Sequence, residues 1–165
     1  MLQTSRIRNA LSGKVILFEH VGSTSVPDLS AKPVIDMILA VADSRDESSY
    51  VPLLKAEGFV LRIREPDWFE HRLFKAPDIK GNLHVFSAGC YESDQMLTFR
   101  NWLRIHAADR HLYQQTKRQL AARIWSNVQH YAEPATSSWE NGVENKEQRA
   151  HGLHFESMNS TDAGF

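Results

Sequence analysis

An α+β fold, with a mixed β-sheet laid down first and helices completing the C-terminal half, is the class that this chain predicts. Two observations predict it. Five short runs rich in β-branched and aromatic residues, at 15–21, 34–41, 59–64, 72–75 and 83–87, fill the first half and are separated by turn residues. From Ser93 onward the apolar spacing becomes helical, with Leu97, Trp102 and Leu103 on one face and Leu112, Tyr113, Leu120 and Ile124 marking a second helix. The 165 residues suffice for one domain with a substantial core and are few for two.

Each element has a local reason. Residues 2–11 place Leu2, Ile7 and Leu11 at helical spacing, and Gly13 follows as a stop. The strand at 15–21 runs into a Gly-Ser turn. Residues 24–31 are short-sided and polar with Pro27, which predicts a turn or one helical turn, and Lys32-Pro33 forces an extended entry into the strand at 34–41. Residues 43–49 offer N-caps for a helix at 50–56, which accommodates Pro52 and is closed by Gly58. Phe59, Leu61 and Ile63 alternate with Val60, Arg62 and Arg64, as in a half-buried strand. Pro77, Asp78, Lys80 and Gly81 form a hairpin-like connection between the last two strands. From Glu133 the chain is polar, acidic and without period, so a folded domain at 1–132 is expected to be followed by a disordered tail at 133–165.

Composition excludes several classes. With 42% hydrophobic and 24% charged residues, the chain is neither wholly disordered nor a membrane protein throughout. A net charge of −1 gives no strong nucleic-acid signal. The balance is uneven, however: residues 61–130 carry eleven Lys/Arg against seven Asp/Glu, so the middle of the chain can attract an anion. Cys90 is the single cysteine, which rules out an internal disulfide and fits a reducing compartment. No run reaches the roughly 20 apolar residues of a membrane span, and the first residues hold no signal-peptide core. The expectation is a cytoplasmic protein without a membrane partner.

The most informative stretch is residues 20–41, HVGSTSVPDLSAKPVIDMILAV. Gly22 can take a positive φ and lets a ligand approach the backbone. Ser23, Thr24 and Ser25 add hydroxyls and successive N–H groups, a surface suited to oxyanions. Asp36 lies among Val34, Ile35, Met37, Ile38, Leu39 and Val41, where a buried carboxylate needs a partner. That partner is either a bound metal or phosphate group, or a cation such as Lys32 or an Arg of the C-terminal helices.

HVGSTSVPDLSAKPVIDM closely resembles the signature of the GrpB family, a branch of the nucleotidyltransferase superfamily. The resemblance continues in His71-Arg72-Leu73-Phe74, in Asn82-Leu83-His84-Val85, and in the segments FRNWLR at 99–104 and YQQTKRQL at 113–120, covering roughly residues 15–131. It implies a nucleotidyltransferase-like core: strand, Gly-Ser turn, short helix, then a strand bearing metal-binding carboxylates. In active members of the superfamily two strand carboxylates and a third hold two divalent ions across an α-phosphate. Here Asp36 stands at the first position, Ile38 replaces the second, and His84 stands near the third. Asp28 and Asn82 occupy positions where the family commonly has Gly and His.

The resemblance therefore implies transfer of a nucleoside monophosphate from a nucleoside triphosphate to an acceptor, or a degenerate module that binds a nucleotide or phosphorylated metabolite without turnover. Asp36 is the candidate catalytic residue. Asp36 and His84 are the candidate ligands of Mg2+ or Mn2+. Gly22, Ser23, Thr24, Ser25, Lys32, Arg72, His84, Arg100 and Arg104 are the candidate substrate-binding residues. Arg100 and Arg104, four apart on one helical face, can meet one phosphate jointly or pair with Asp94 or Asp109. His20 either fixes the loop or acts as a base. Trp102, Tyr113 and Trp125 are expected in the core.

Overall fold

The computed structural model describes residues 2–121. Ile124, Trp125 and the tail expected at 133–165 lie outside the described residues. Elements follow in the order α1 (Leu2–Leu11), β1 (Leu17–Val21), a 3-10 turn (Ser23–Ser25), β2 (Ile35–Val41), a second 3-10 turn (Glu47–Ser49), α2 (Val51–Ala56), β3 (Val60–Glu65), β4 (His71–Lys75), β5 (Gly81–Ser87), α3 (Tyr91–Ile105) and α4 (Ala107–Ala121). The α+β class with a mixed sheet and C-terminal helices is the observed one. Pro52 sits in the first turn of α2, where its missing N–H costs nothing.

The five strands lie in the order β1-β2-β5-β4-β3. The β2–β5 pair is parallel and the other three are antiparallel. This register decides which side chains meet, because successive residues of a strand point to opposite faces. One face carries Phe18, Met37, Leu39, Val41, Phe74, Leu83 and Val85, packed with Ile7 and Leu11 of α1, Tyr50 at the N-cap of α2, and Val51 and Leu54 of α2 into a single hydrophobic cluster. Each such side chain contributes about 1.5–3 kcal/mol when buried. The opposite face mixes apolar and polar groups: Val21, Asp36, Ile38, His71, Leu73, Asn82 and His84, all buried.

The chain divides into two compact units, residues 1–100 and residues from 101 onward, so the boundary falls within α3. In the first unit, α3 buries Glu92, Ser93, Met96 and Arg100, whereas Leu97 is only half-buried. The expected apolar stripe is thus displaced, and a charged residue takes the inner position because a carboxylate and a carbonyl receive it there. In the second unit, Trp102 is half-buried rather than core: its ring stacks on His106 at 3.5 Å and its Nε1–H donates to Asp109 at 2.7 Å. Leu103, Tyr113 and Leu120 are buried, while Leu112, expected to share that face, is 44% exposed.

Candidate functional site

Asp36 is 2% exposed at the start of β2, directly between Val21 of β1 and Asn82 of β5. The Asn82 side-chain amide donates to Asp36 Oδ1 at 2.8 Å. The expected cation Lys32 is exposed on the loop before β2. The other oxygen, Oδ2, explains Gly22. This glycine has φ +70, and a Cβ added to it would lie 2.8 Å from Asp36 Oδ2. The space that the sequence reserves for a ligand beside Gly22 is therefore filled by the protein's own carboxylate, and loop and strand lock together at that point.

Asn82 is 2% exposed, and its Oδ1 has no hydrogen-bond partner among the described residues. One residue pair further along the same face, His84 Nε2 lies 3.8 Å from Asp36 Oδ1. His84 Nδ1 is 3.1 Å from His71 Nε2, and His71 Nδ1 is 2.8 Å from Glu65 Oε2. A polar row thus crosses the sheet from Asp36 through His84 and His71 to Glu65. Register also sets Lys75 opposite Asn82, which brings a lysine to the same face.

The loop hydroxyls are turned inward. Thr24 Oγ1 donates to the Val34 carbonyl at 3.1 Å and meets His20 Nε2 at 3.0 Å, so His20 holds the loop. Ser25 Oγ donates to the Gly22 carbonyl at 2.5 Å, and Ser23 and Ser25 are buried. What the loop offers a ligand is accordingly its backbone and position rather than three exposed hydroxyls. Asp28, in the same loop, has φ +63, a left-handed conformation that favours glycine.

The arginines are engaged within the protein. Arg72 pairs with Glu47 at 2.7 Å and Glu70 at 3.3 Å, and by register it lies on the face opposite Asp36. Arg64 and Arg72 hold the Glu47 carboxyl down to about 2. Arg100 reaches Glu19 at 2.8 Å and donates to the His20 carbonyl at 2.7 Å. Arg104 belongs to the second unit, where it is exposed. Through its contacts with Glu19 and His20, Arg100 ties α3 to β1. Burial raises the Glu92 carboxyl on α3 to about 7.

Ile38, where a second strand carboxylate would stand, is fully buried between Glu19 and His84 in the register. Among the described residues no three His, Cys, Asp or Glu side chains gather closely enough to hold a metal ion. On the face of Asp36, His84 Nε2 lies 3.8 Å away and the Asn82 side-chain amide is bonded to the carboxylate. A cavity of about 1000 Å³ lies elsewhere, lined by residues including Arg6, Phe18, His20, Met37 and Ile79 and not by Asp36, Asn82 or His84. Among its polar lining groups, Arg6 pairs with Asp78, Glu19 with Arg100 and His20 with Thr24, so the polar row carries the functional reading.

Glu65 is the site residue that sequence reasoning does not mention; Asn82 and His71 are met there only as positions within the resemblance, with no role assigned. Strand alternation puts Asn82 with His84 on one face, but only the observed pairing shows that this is the face of Asp36.

A family model described as GrpB protein matches residues 2–155, a longer span than the resemblance over residues 15–131. A UPF0157 protein of Halalkalibacterium halodurans is 57% identical over 135 residues, covering 82% of this chain and 69% of that protein. A UPF0157 protein of Streptomyces coelicolor is 42% identical over 128 residues, covering 78% and 67%. Among solved structures, the conserved protein GrpB from Enterococcus faecalis aligns with a TM-score of 0.66 at 22% identity, covering 86% of this chain and 90% of that one. The last likeness shows the fold, which is nucleotidyltransferase-like.

Proposed function

From the membership of this chain in the GrpB family, we propose that it binds a nucleotide or another phosphorylated small molecule through a divalent ion, Mg2+ or Mn2+, anchored at Asp36, as a binding module rather than a two-metal nucleotidyltransferase. One observation carries this reading: Ile38 is buried on the same strand face as Asp36, and Glu19, which registers against Ile38, has its carboxylate held by Arg100. Two-ion catalysis stabilises the attacking and leaving oxygens together and needs carboxylates shared between the ions. Asp36 alone anchors at most one.

The residues that would hold the ion are Asp36, the Asn82 carbonyl oxygen and His84 Nε2. A carboxylate, an amide oxygen and an imidazole suit Mn2+ better than Mg2+, which prefers oxygens throughout. When bound, such an ion supplies positive charge to a phosphate that the protein otherwise meets with loop backbone and Lys32. Asn82 fixes one Asp36 oxygen and Gly22 packs on the other, so the carboxylate is oriented before any ligand arrives.

Nucleotidyl transfer is the second reading, favoured by the register of Glu19 opposite Ile38: release of its Arg100 contact frees a second acid on that face. Thermal-shift titration with nucleoside triphosphates, with and without Mg2+ or Mn2+, tests the first reading. Stabilisation that needs both metal and nucleotide and disappears in Asp36→Ala supports it. Absence of any shift at millimolar ligand removes it. Pyrophosphate release from a triphosphate under the same conditions would favour the second.

A further inference from the structure

The polar row extends beyond the groups that would touch a ligand, and its hydrogen-bond polarity is set from the far end. Glu65 on β3, ionised, can only accept, so the ring nitrogen facing it at 2.8 Å, His71 Nδ1, carries a proton. A neutral His71 then presents a lone pair at Nε2. Facing that lone pair at 3.1 Å is His84 Nδ1, so a neutral His71 requires the proton of the second ring to sit there. His84 Nε2 is left bare, beside Asp36 Oδ1.

The remaining distance agrees with this polarity. Nε2 and Oδ1 stand 3.8 Å apart, longer than an N–H···O bond. Reversed polarity would set a His71 lone pair against a carboxylate at 2.8 Å and give His84 an N–H that the gap leaves unused. The rings are held in place: His71 is fully buried, meets His84 edge to edge with ring centroids 5.3 Å apart, and contacts Phe86 at 4.8 Å and Trp68 at 5.0 Å. Asn82, two residues before His84 on the same strand face, has its own buried acceptor, Oδ1, without a partner among the described residues.

We propose that Glu65 and His71 are positioning residues that fix His84 as the Nδ1–H tautomer, keeping its Nε2 lone pair beside Asp36 and Asn82 as the point that receives a ligand's cationic or hydrogen-donating group. Histidines that hold metals gain orientation and basicity from such an outer partner. Here the partner is a second histidine backed by a carboxylate. The identity of the received group rests on the binding reading above; the tautomer does not.

The test is long-range 1H–15N correlation on 15N-labelled protein without ligand at neutral pH, with the two rings assigned from His84→Asn and His71→Gln. Expected are neutral rings in both residues, each with a protonated Nδ1 and a pyridine-type Nε2. In Glu65→Leu the His84 ring should shift toward Nε2–H, and Glu65→Gln, which keeps an acceptor oxygen, should restore the wild-type pattern. A wild-type His84 that is Nε2-protonated or doubly protonated overturns the proposal, as does an unchanged His84 in a folded Glu65→Leu variant. If Glu65→Leu does not fold, the wild-type spectrum decides. Because no ligand is present, a failure here leaves the nucleotide reading standing, and a failed nucleotide titration leaves the tautomer standing.

Discussion

Asn82 donates to Asp36 across the parallel pair β2–β5, and the same amide leaves its side-chain oxygen buried without a partner among the described residues. The two atoms of one side chain thus do opposite things: one satisfies a buried carboxylate, the other keeps an acceptor in reserve.

Asn82→Asp replaces that donor with a second carboxylate against Asp36. Like charges in a buried place repel, and the lost hydrogen bond to a charged group costs about 1.5–3 kcal/mol. We expect a lower melting temperature at pH 7 in chelator, and a larger recovery on adding Mn2+ than the wild type shows. Differential scanning fluorimetry with chelator and metal arms measures both.

Gly22→Ala meets two penalties, a φ of +70 and a Cβ 2.8 Å from Asp36 Oδ2. Together they should destabilise by about 2–4 kcal/mol. Part of the loss belongs to the Asp36 carboxylate, so the double variant with Asp36→Ala should lose less than the sum of the singles, by at least about 0.5 kcal/mol. Urea denaturation of the four proteins gives the coupling, and strict additivity would mean that the carboxylate does not set the requirement for glycine.

Asp28→Gly should stabilise the protein, since φ is +63 there. Relief of left-handed strain of about 1 kcal/mol, reduced by the added freedom of the unfolded glycine chain, predicts a gain of about 0.5 kcal/mol. A loss of stability in chemical denaturation would show that the Asp28 side chain contributes more than its backbone costs.

Glu92 predicts a pH dependence. Burial raises its carboxyl from 4.5 to about 7, so the folded state holds a proton that the unfolded state releases between those values. Its contribution is full below pH 4.5 and is lost as pH rises through 7, to the extent of about 3 kcal/mol. Glu47 runs the other way: Arg64 and Arg72 hold it at about 2, so its contribution is present above 4.5 and fades only as pH falls toward 2. Unfolding free energies measured from pH 5 to 8 should therefore decline in the wild type and decline much less in Glu92→Gln.

The strand, turn and strand from residue 17 to residue 41 were legible because their signals are local: β-branched runs, a Gly-Ser turn, and one acid among apolar neighbours. Asp36 and Gly22 were legible for the same reason, although their contact was not. Asn82, His71 and Glu65 come to Asp36 only through the pairing of β2, β5, β4 and β3, and register is a property of the whole sheet. Arg100 and Arg72 have the charge for anion binding, but Glu19 and Glu47 claim them from distant elements, which spacing along the chain cannot reveal. Helix α3 shows the same limit: hydropathy favours an inner face at Leu97 and Trp102, yet the ion pair draws Arg100 inward instead.

Paramagnetic broadening by Mn2+ tests the central claim most directly. With a nucleoside triphosphate present, Mn2+ titrated into 15N-labelled protein should first broaden the amide signals of Gly22, Asp36, Asn82 and His84, and Asp36→Ala should abolish that pattern. Broadening centred on other residues, or the same pattern in a folded Asp36→Ala variant, would contradict the assignment of Asp36 as the anchor.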